Sequence, residues 1–189
     1  MARASRSNAN IRSAEQNMNL QRLLQTPEFN ILVFSFLLNL AWEILQVPFF
    51  RGMADAPHWL GVKACTQATV GDVAITLTAF WIAAIFARTR NWILLPRKQD
   101  FAIFIGVGIL ATMLFEILAT GPLERWAYTD AMPRVPIIGT GLLPLLQWLV
   151  IPPLVLWFVR RQIGASFSHQ SVENTTADGV RLHRKPGSK

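Results

Sequence analysis

The chain has 189 residues, of which 52% are hydrophobic and only 15% are charged, and its formal net charge is +7. Soluble domains carry about 25% charged residues, so the composition argues against a soluble protein and favours a membrane protein. No nucleic-acid-binding motif accompanies the basic excess, which indicates contact with lipid head groups and no nucleic-acid partner. The single cysteine, Cys65, excludes an intrachain disulfide and a CxxC motif.

Residues 1–28 form a polar, basic tail, in which 17–25 are predicted to be a short interfacial helix. Four apolar segments follow at 29–50, 64–87, 101–120 and 141–159, each long enough to cross about 30 Å of hydrocarbon as a helix. Residues 160–189 are polar with a basic end and are predicted to be disordered. The sequence therefore predicts an all-α integral membrane bundle of four transmembrane helices over 29–159.

The orientation of the bundle follows from the basic residues. Of 18 Lys and Arg residues, 14 lie in the two tails and in the loop between the second and third segments. Because Lys and Arg collect on the cytoplasmic side, both termini are predicted to be cytoplasmic, which requires an even number of spans. The expected partner is the lipid bilayer, and a homo-oligomer or a complex with other membrane proteins is a further expectation.

Three stretches carry a resemblance: WEILQVPFF at 42–50, GDVAIT at 71–76 and ERWAYTDAMP at 124–133. Together they resemble stretches of small bacterial integral membrane proteins. The resemblance implies a multi-pass protein of the bacterial inner membrane, and it implies no activity.

Polar side chains interrupt each apolar segment at a similar depth. In the first segment Asn39, Glu43 and Gln46 are spaced i, i+4, i+7, so they share one helix face, and Trp42 borders that face. With alternating helix directions, the polar residues of the other three segments also fall in the outer half of the membrane, roughly 10 Å or less from its surface. These residues are Asp72, Glu116 and Gln147.

Carboxyl groups within a membrane are costly, at least about 2.5 kcal/mol each at the centre of the bilayer. We therefore expect the three acids to face a shared, outward-facing pocket. An alternative for Glu43 is a structural pair with a basic residue near the surface or with Gln147. The segment 121–141 is rich in Gly and Pro and is predicted to be a shaped loop that covers the mouth of this pocket.

The sequence contains no HExxH, GxSxG, Walker A or GxGxxG motif. Several carboxyl groups without histidine suit either a hard cation bound by oxygen or acid–base chemistry on an apolar substrate, and Glu43, Asp72 and Glu116 are the predicted catalytic residues. No metal ligands are assigned and no cofactor is identified. The predicted substrate-binding residues are Asn39, Trp42, Gln46, Glu124, Arg125, Trp126, Tyr128 and Gln147.

Three functions fit these patterns, and whether the chain is an enzyme is left open. The first is a membrane-embedded enzyme or a handler of lipid or another apolar substrate, which would enter sideways between helices. The second is a proton- or cation-coupled transporter, against which stands the lack of acidic residues in the inner half of the membrane. The third is a scaffold or assembly subunit of a larger membrane complex, in which the polar groups would pair with a partner.

Overall fold

The computed structural model describes residues 12, 16 and 18–182, with side chains described as far as residue 164. Parts of the predicted tails lie outside these residues: 1–11, 13–15 and 17 of the tail at 1–28, and 183–189 of the tail at 160–189. The described chain is all-α and contains no strand, which confirms the predicted fold class. Its four long helices are α1 (Pro27–Gln46), α2 (His58–Ala87), α3 (Lys98–Thr120) and α4 (Leu142–Leu182). Short 3-10 helices at Val47–Phe49 and Arg90–Leu94 follow α1 and α2.

Four stretches are long and apolar enough to cross a membrane, one in each helix. They are Pro27–Phe49, His58–Ala87, Lys98–Thr120 and Leu142–Gly164. We call the end of the bundle with residues 47–57 and 121–141 the outer end, after the orientation that the sequence predicts, and the opposite end the inner end.

Three of the four helices begin earlier than the apolar segments of the sequence: α1 by two residues, α2 by six and α3 by three. Pro27 occupies the first turn of α1, where a missing N–H costs nothing. The residue before α2 is Pro57, in an extended conformation. At the start of α3, Arg97 and Asp100 form a capping box, with Arg97 Nε 2.9 Å from Asp100 Oδ2.

The last helix is longer than its predicted apolar segment, 141–159. Its backbone is helical as far as Leu182, and disorder at 160–189 stays a prediction. No proline occurs between Pro153 and Pro186, so a helix nucleated in the apolar stretch adds one hydrogen bond for each further residue. Pro152 and Pro153 lie inside α4. Because proline has no backbone N–H, the carbonyl groups of Trp148 and Leu149 lose the hydrogen bonds that residues 152 and 153 would otherwise donate.

The bundle is apolar outside and partly polar inside. The buried face of α1 carries Asn39, Glu43 and Gln46, whereas Leu45 is 73% exposed and Leu110 of α3 is 68% exposed. At most 44% of the most apolar window in any helix is buried inside the bundle. Such a surface is stable only against an apolar solvent, which agrees with the helix lengths.

The inner half of the bundle is a core of aromatic and aliphatic side chains. Trp92, from the 3-10 helix after α2, is buried between Phe80 and Phe104, with ring centroids 5.8 and 5.6 Å away. Its indole Nε1 donates to the carbonyl oxygen of Phe80 at 3.3 Å. Two acids lie at the inner helix ends, and each binds an arginine: Glu28 binds Arg90, and Asp100 binds Arg97.

Helix α3 packs tightly against α4 at a single glycine. A Cβ atom built on Gly108 would lie 1.9 Å from the ring of Trp148. A Cβ on Gly106 of the same helix would meet no atom within 4 Å. The absence of a side chain at Gly108 is therefore what lets the indole of Trp148 lie against the backbone of α3.

Residues 121–141, which we call the outer loop, are fastened to the end of α1. The Arg51 amide donates to the Ala127 carbonyl at 2.8 Å, and the Thr129 amide donates to the Phe49 carbonyl at 2.9 Å. The ring of Phe50 contacts Tyr128, with ring centroids 5.6 Å apart. The outer loop thus covers the outer end of the bundle.

Candidate functional site

A glutamine from α4 joins two other helices in the outer half of the bundle. Gln147 Nε2 donates to Asn39 Oδ1 of α1 at 2.6 Å and to Asp72 Oδ2 of α2 at 2.9 Å. Gln147 and Asn39 are each only 3% exposed, and Asp72 is half-buried. Three helices that are distant in sequence therefore meet at one amide group.

Two of the predicted catalytic acids contact each other. The carboxyl groups of Glu43 and Asp72 lie within hydrogen-bonding reach of each other, and Gln46 Nε2 donates to Glu43 Oε1 at 2.7 Å. An ionised carboxylate only accepts hydrogen bonds, so a bond between the two groups requires a proton on one of them. Such a pair can present a protonated carboxyl next to a potential base.

The polar contacts continue from this pair toward the middle of the membrane. Asn39 Nδ2 donates to Ser35 Oγ at 2.8 Å, and Ser35 Oγ donates to Thr76 Oγ1 at 3.2 Å. Thr76 in turn donates to the Asp72 carbonyl oxygen at 2.7 Å. Neither Ser35 nor Thr76 is among the predicted site residues, although Ser35 precedes Asn39 by four residues, the spacing that linked Asn39 to Glu43. We call Ser35, Asn39, Glu43, Gln46, Asp72, Thr76 and Gln147 the polar network.

Among the described side chains, no basic residue forms an ion pair with the polar network. The ion pairs of the described side chains join Arg51 to Asp130, Arg90 to Glu28 and Arg97 to Asp100. The alternative of a structural pair between Glu43 and a surface cation is therefore wrong. Glu43 binds Gln46 and Asp72 because it lies on the inward face of α1, away from the basic residues of the loops.

Glu116 of α3 belongs to a second group, formed with the outer loop. Trp126 Nε1 donates to Glu116 Oε2 at 3.3 Å, and the Tyr128 hydroxyl donates to the same oxygen. Burial and then the hydrogen bond to Glu116 raise the pKa of Tyr128, so the phenol keeps its proton. Glu116 still lies close enough to Glu43 and Asp72 to interact with both electrostatically.

Several buried polar atoms beside these groups have no partner among the described residues. They are Trp42 Nε1, Gln46 Oε1 and Thr112 Oγ1. Thr112 is also unusual among the threonines of the described spans. The others donate to the carbonyl four residues earlier: Thr66, Thr69, Thr76, Thr78 and Thr120. Buried polar atoms are normally paired with protein or water, so these three atoms mark places for water or for the polar atoms of a ligand.

The structure does not bring every predicted residue to the polar network. Glu124 and Arg125 are exposed at the start of the outer loop, just after α3 ends at Thr120. Arg125 instead faces a groove beside Lys63 of α2. In the described part of the chain, no three His, Cys, Asp or Glu side chains are grouped closely enough to hold a metal ion.

No known protein family, no curated protein and no solved structure matches this chain. Function is therefore inferred from the chemistry of the site. The features that matter are a pair of neighbouring carboxyl groups, a third acid held by the outer loop, and three polar atoms close to them that have no partner among the described residues.

Proposed function

We propose that this chain is a multi-pass protein of the bacterial inner membrane, with both termini in the cytoplasm, that performs acid–base chemistry on a lipid or another apolar substrate. Glu43 and Asp72 are the reacting groups, and Glu116 is the third acid of the site. The observation that carries this proposal is the closeness of the Glu43 and Asp72 carboxyl groups in the outer half of the bundle, without a basic counter-charge among the described side chains.

The pair supplies both partners of a proton transfer. The protonated carboxyl is a general acid, and the ionised one is a general base. Gln147 holds the Asp72 oxygen in position by its 2.9 Å hydrogen bond. A polar group of a substrate would meet the indole N–H of Trp42 and the side-chain amide oxygen of Gln46, which have no partner among the described residues. The apolar remainder of the substrate would enter from the bilayer between helices.

Two structural features weigh against the other functions. Beneath the polar network the described inner half is built around an apolar core of Phe80, Trp92 and Phe104, and its two acids, Glu28 and Asp100, are bound by arginines at the inner helix ends. This disfavours a transporter. The acids are bound by groups of the chain itself, Gln46, Gln147 and Tyr128, so they need no partner protein, which disfavours a scaffold.

The orientation is testable because the chain has one cysteine, Cys65, which is buried. In a Cys65→Ser background, Asp55→Cys is expected to react with a membrane-impermeant maleimide in intact cells, since residue 55 is exposed at the outer end. Asn91→Cys, exposed at the inner end, is expected to react only after the cells are permeabilised. The reverse pattern would place the carboxyl pair in the cytoplasmic half and contradict the proposal.

The chemistry is tested by the lipid and isoprenoid profile of cells that lack the gene. The wild-type chain is expected to restore the lipid and isoprenoid profile. The variants Glu43→Gln and Asp72→Asn are expected to fail, because they keep the shape of the side chain but remove its acidic proton. We expect at least about a 100-fold loss of turnover, the usual contribution of a general acid or base.

Asp55→Asn is the matched control for these variants, because it removes a carboxyl group from an exposed position at the same end of the bundle. It is expected to restore the profile fully. Restoration by Glu43→Gln and Asp72→Asn would reject acid–base catalysis. Proton or charge movement in vesicles, or a partner protein recovered in stoichiometric amount, would instead favour the transporter or the scaffold.

A further inference from the structure

A groove of about 480 Å³ lies at the outer end of α2, away from the polar network. Its lining residues are Lys63, Thr66, Gln67 and Val70 of α2 and Arg125 of the outer loop. The four residues of α2 are spaced i, i+3, i+4, i+7 and so share one face of the helix. The buried residues Cys65 and Thr69 lie on the other side of the helix.

The two cations of the groove differ from the other basic residues at this end. Arg51 pairs with Asp130 at 3.5 Å, and the Arg134 guanidinium lies 5.5 Å from the ring centre of Tyr128. Lys63 and Arg125 have no acidic partner among the described side chains. The rule that collects basic residues at the cytoplasmic side does not account for two such cations at the outer end.

The surface below the groove is apolar. Val70 lines the groove. From Val70 the same face of α2 continues toward the inner end with Ala74, Trp81 and Ile85, about one to four turns further along. Val70 is 55% exposed and Ile85 is 71% exposed, and no other described helix covers either of them. A cationic groove above an exposed apolar stripe complements a phospholipid. The phosphate would lie at the interface and the acyl chains along the helix.

We propose that this groove binds an anionic phospholipid, whose phosphate lies between Lys63 and Arg125 and whose acyl chains lie along the Val70–Ile85 stripe of α2. Thr66 and Gln67 border the head group. A free phosphate ion would not use the apolar stripe, and so the lipid is the better occupant. The site lies on the face of α2 opposite Asp72 and does not depend on the proposed acid–base function.

The test uses the full chain, purified in detergent and exchanged into vesicles with equal amounts of phosphatidylglycerol and phosphatidylethanolamine. After re-extraction and washing, wild-type protein is expected to retain phosphatidylglycerol in excess. Each basic residue near a membrane surface contributes about fivefold to anionic-lipid affinity. The double variant Lys63→Gln, Arg125→Gln is therefore expected to lower this retention by roughly 30-fold.

The matched control is Arg51→Gln, which removes one exposed positive charge at the same end of the bundle but lies outside the groove. It is expected to retain phosphatidylglycerol as the wild type does, and Lys63→Arg is expected to do the same. An equal loss in Arg51→Gln would reveal a diffuse charge effect and overturn the proposal. Unchanged retention in the double variant would also overturn the proposal, and so would displacement of the lipid by millimolar inorganic phosphate. Monodisperse elution of every variant confirms that the bundle is folded.

Discussion

Replacement of Gly108 by alanine is expected to destabilise the bundle by about 1–3 kcal/mol, the range typical of an overpacked core. The new Cβ would lie 1.9 and 2.0 Å from two ring carbons of Trp148, which is far inside van der Waals contact. Trp148 is 3% exposed and cannot move away without disturbing α4. Thermal unfolding of the purified chain in one detergent measures the loss.

Gly106→Ala is the matched control, since Gly106 belongs to the same helix and a Cβ there would meet nothing within 4 Å. Alanine also favours a helix by about 1 kcal/mol over glycine, so this variant is expected to equal or exceed the wild type in stability. If Gly108→Ala proves as stable as Gly106→Ala, α3 and α4 do not approach each other as described.

Replacement of Gln147 by leucine is expected to cost about 3 kcal/mol or more. The amide of Gln147 is the donor to Asn39 Oδ1 and to Asp72 Oδ2, and leucine of similar size leaves both oxygens without it. Each buried polar group that loses its partner costs about 1–3 kcal/mol, and more where the group is charged. Unfolding in the same detergent measures this cost.

Gln67→Leu makes the same chemical change at an exposed position of α2 and serves as the control. It is expected to change the stability by less than about 0.5 kcal/mol, as is usual for surface positions. Equal stability of Gln147→Leu and the wild type would mean that the amide does not bridge the three helices. The polar network would then lose its connection to α4.

The four spans could be predicted from the sequence, because an apolar run of about 20 residues matches the thickness of the hydrocarbon core and is longer than most helices of soluble proteins. Helical periodicity alone also predicted that Asn39, Glu43 and Gln46 share the inward face of α1. The meeting of these residues with Asp72 and Gln147 required two assumptions in addition, the alternation of helix directions and the cost of carboxyl groups in lipid.

Other features of the site depend on tertiary contacts, which the periodicity of a helix does not predict. Glu116 was predicted to join the other acids directly, but the outer loop supplies its hydrogen-bond donors, and loop conformation is not encoded in hydropathy. The groove beside Arg125 arises only where the outer loop meets the far side of α2. Thr112 gave no signal in the sequence, because most threonines in membrane helices bind their own backbone, as Thr69 and Thr120 do here.

The bridge from Gln147 to Asp72 also has a consequence for biosynthesis, because these residues are 75 positions apart in the chain. At about 5–20 residues per second, Gln147 is translated roughly 4–15 s after Asp72. Until α4 is made, Asp72 lacks its amide donor, and its polar neighbour in the bundle is Glu43 of α1. The addition of the last span therefore completes the polar network.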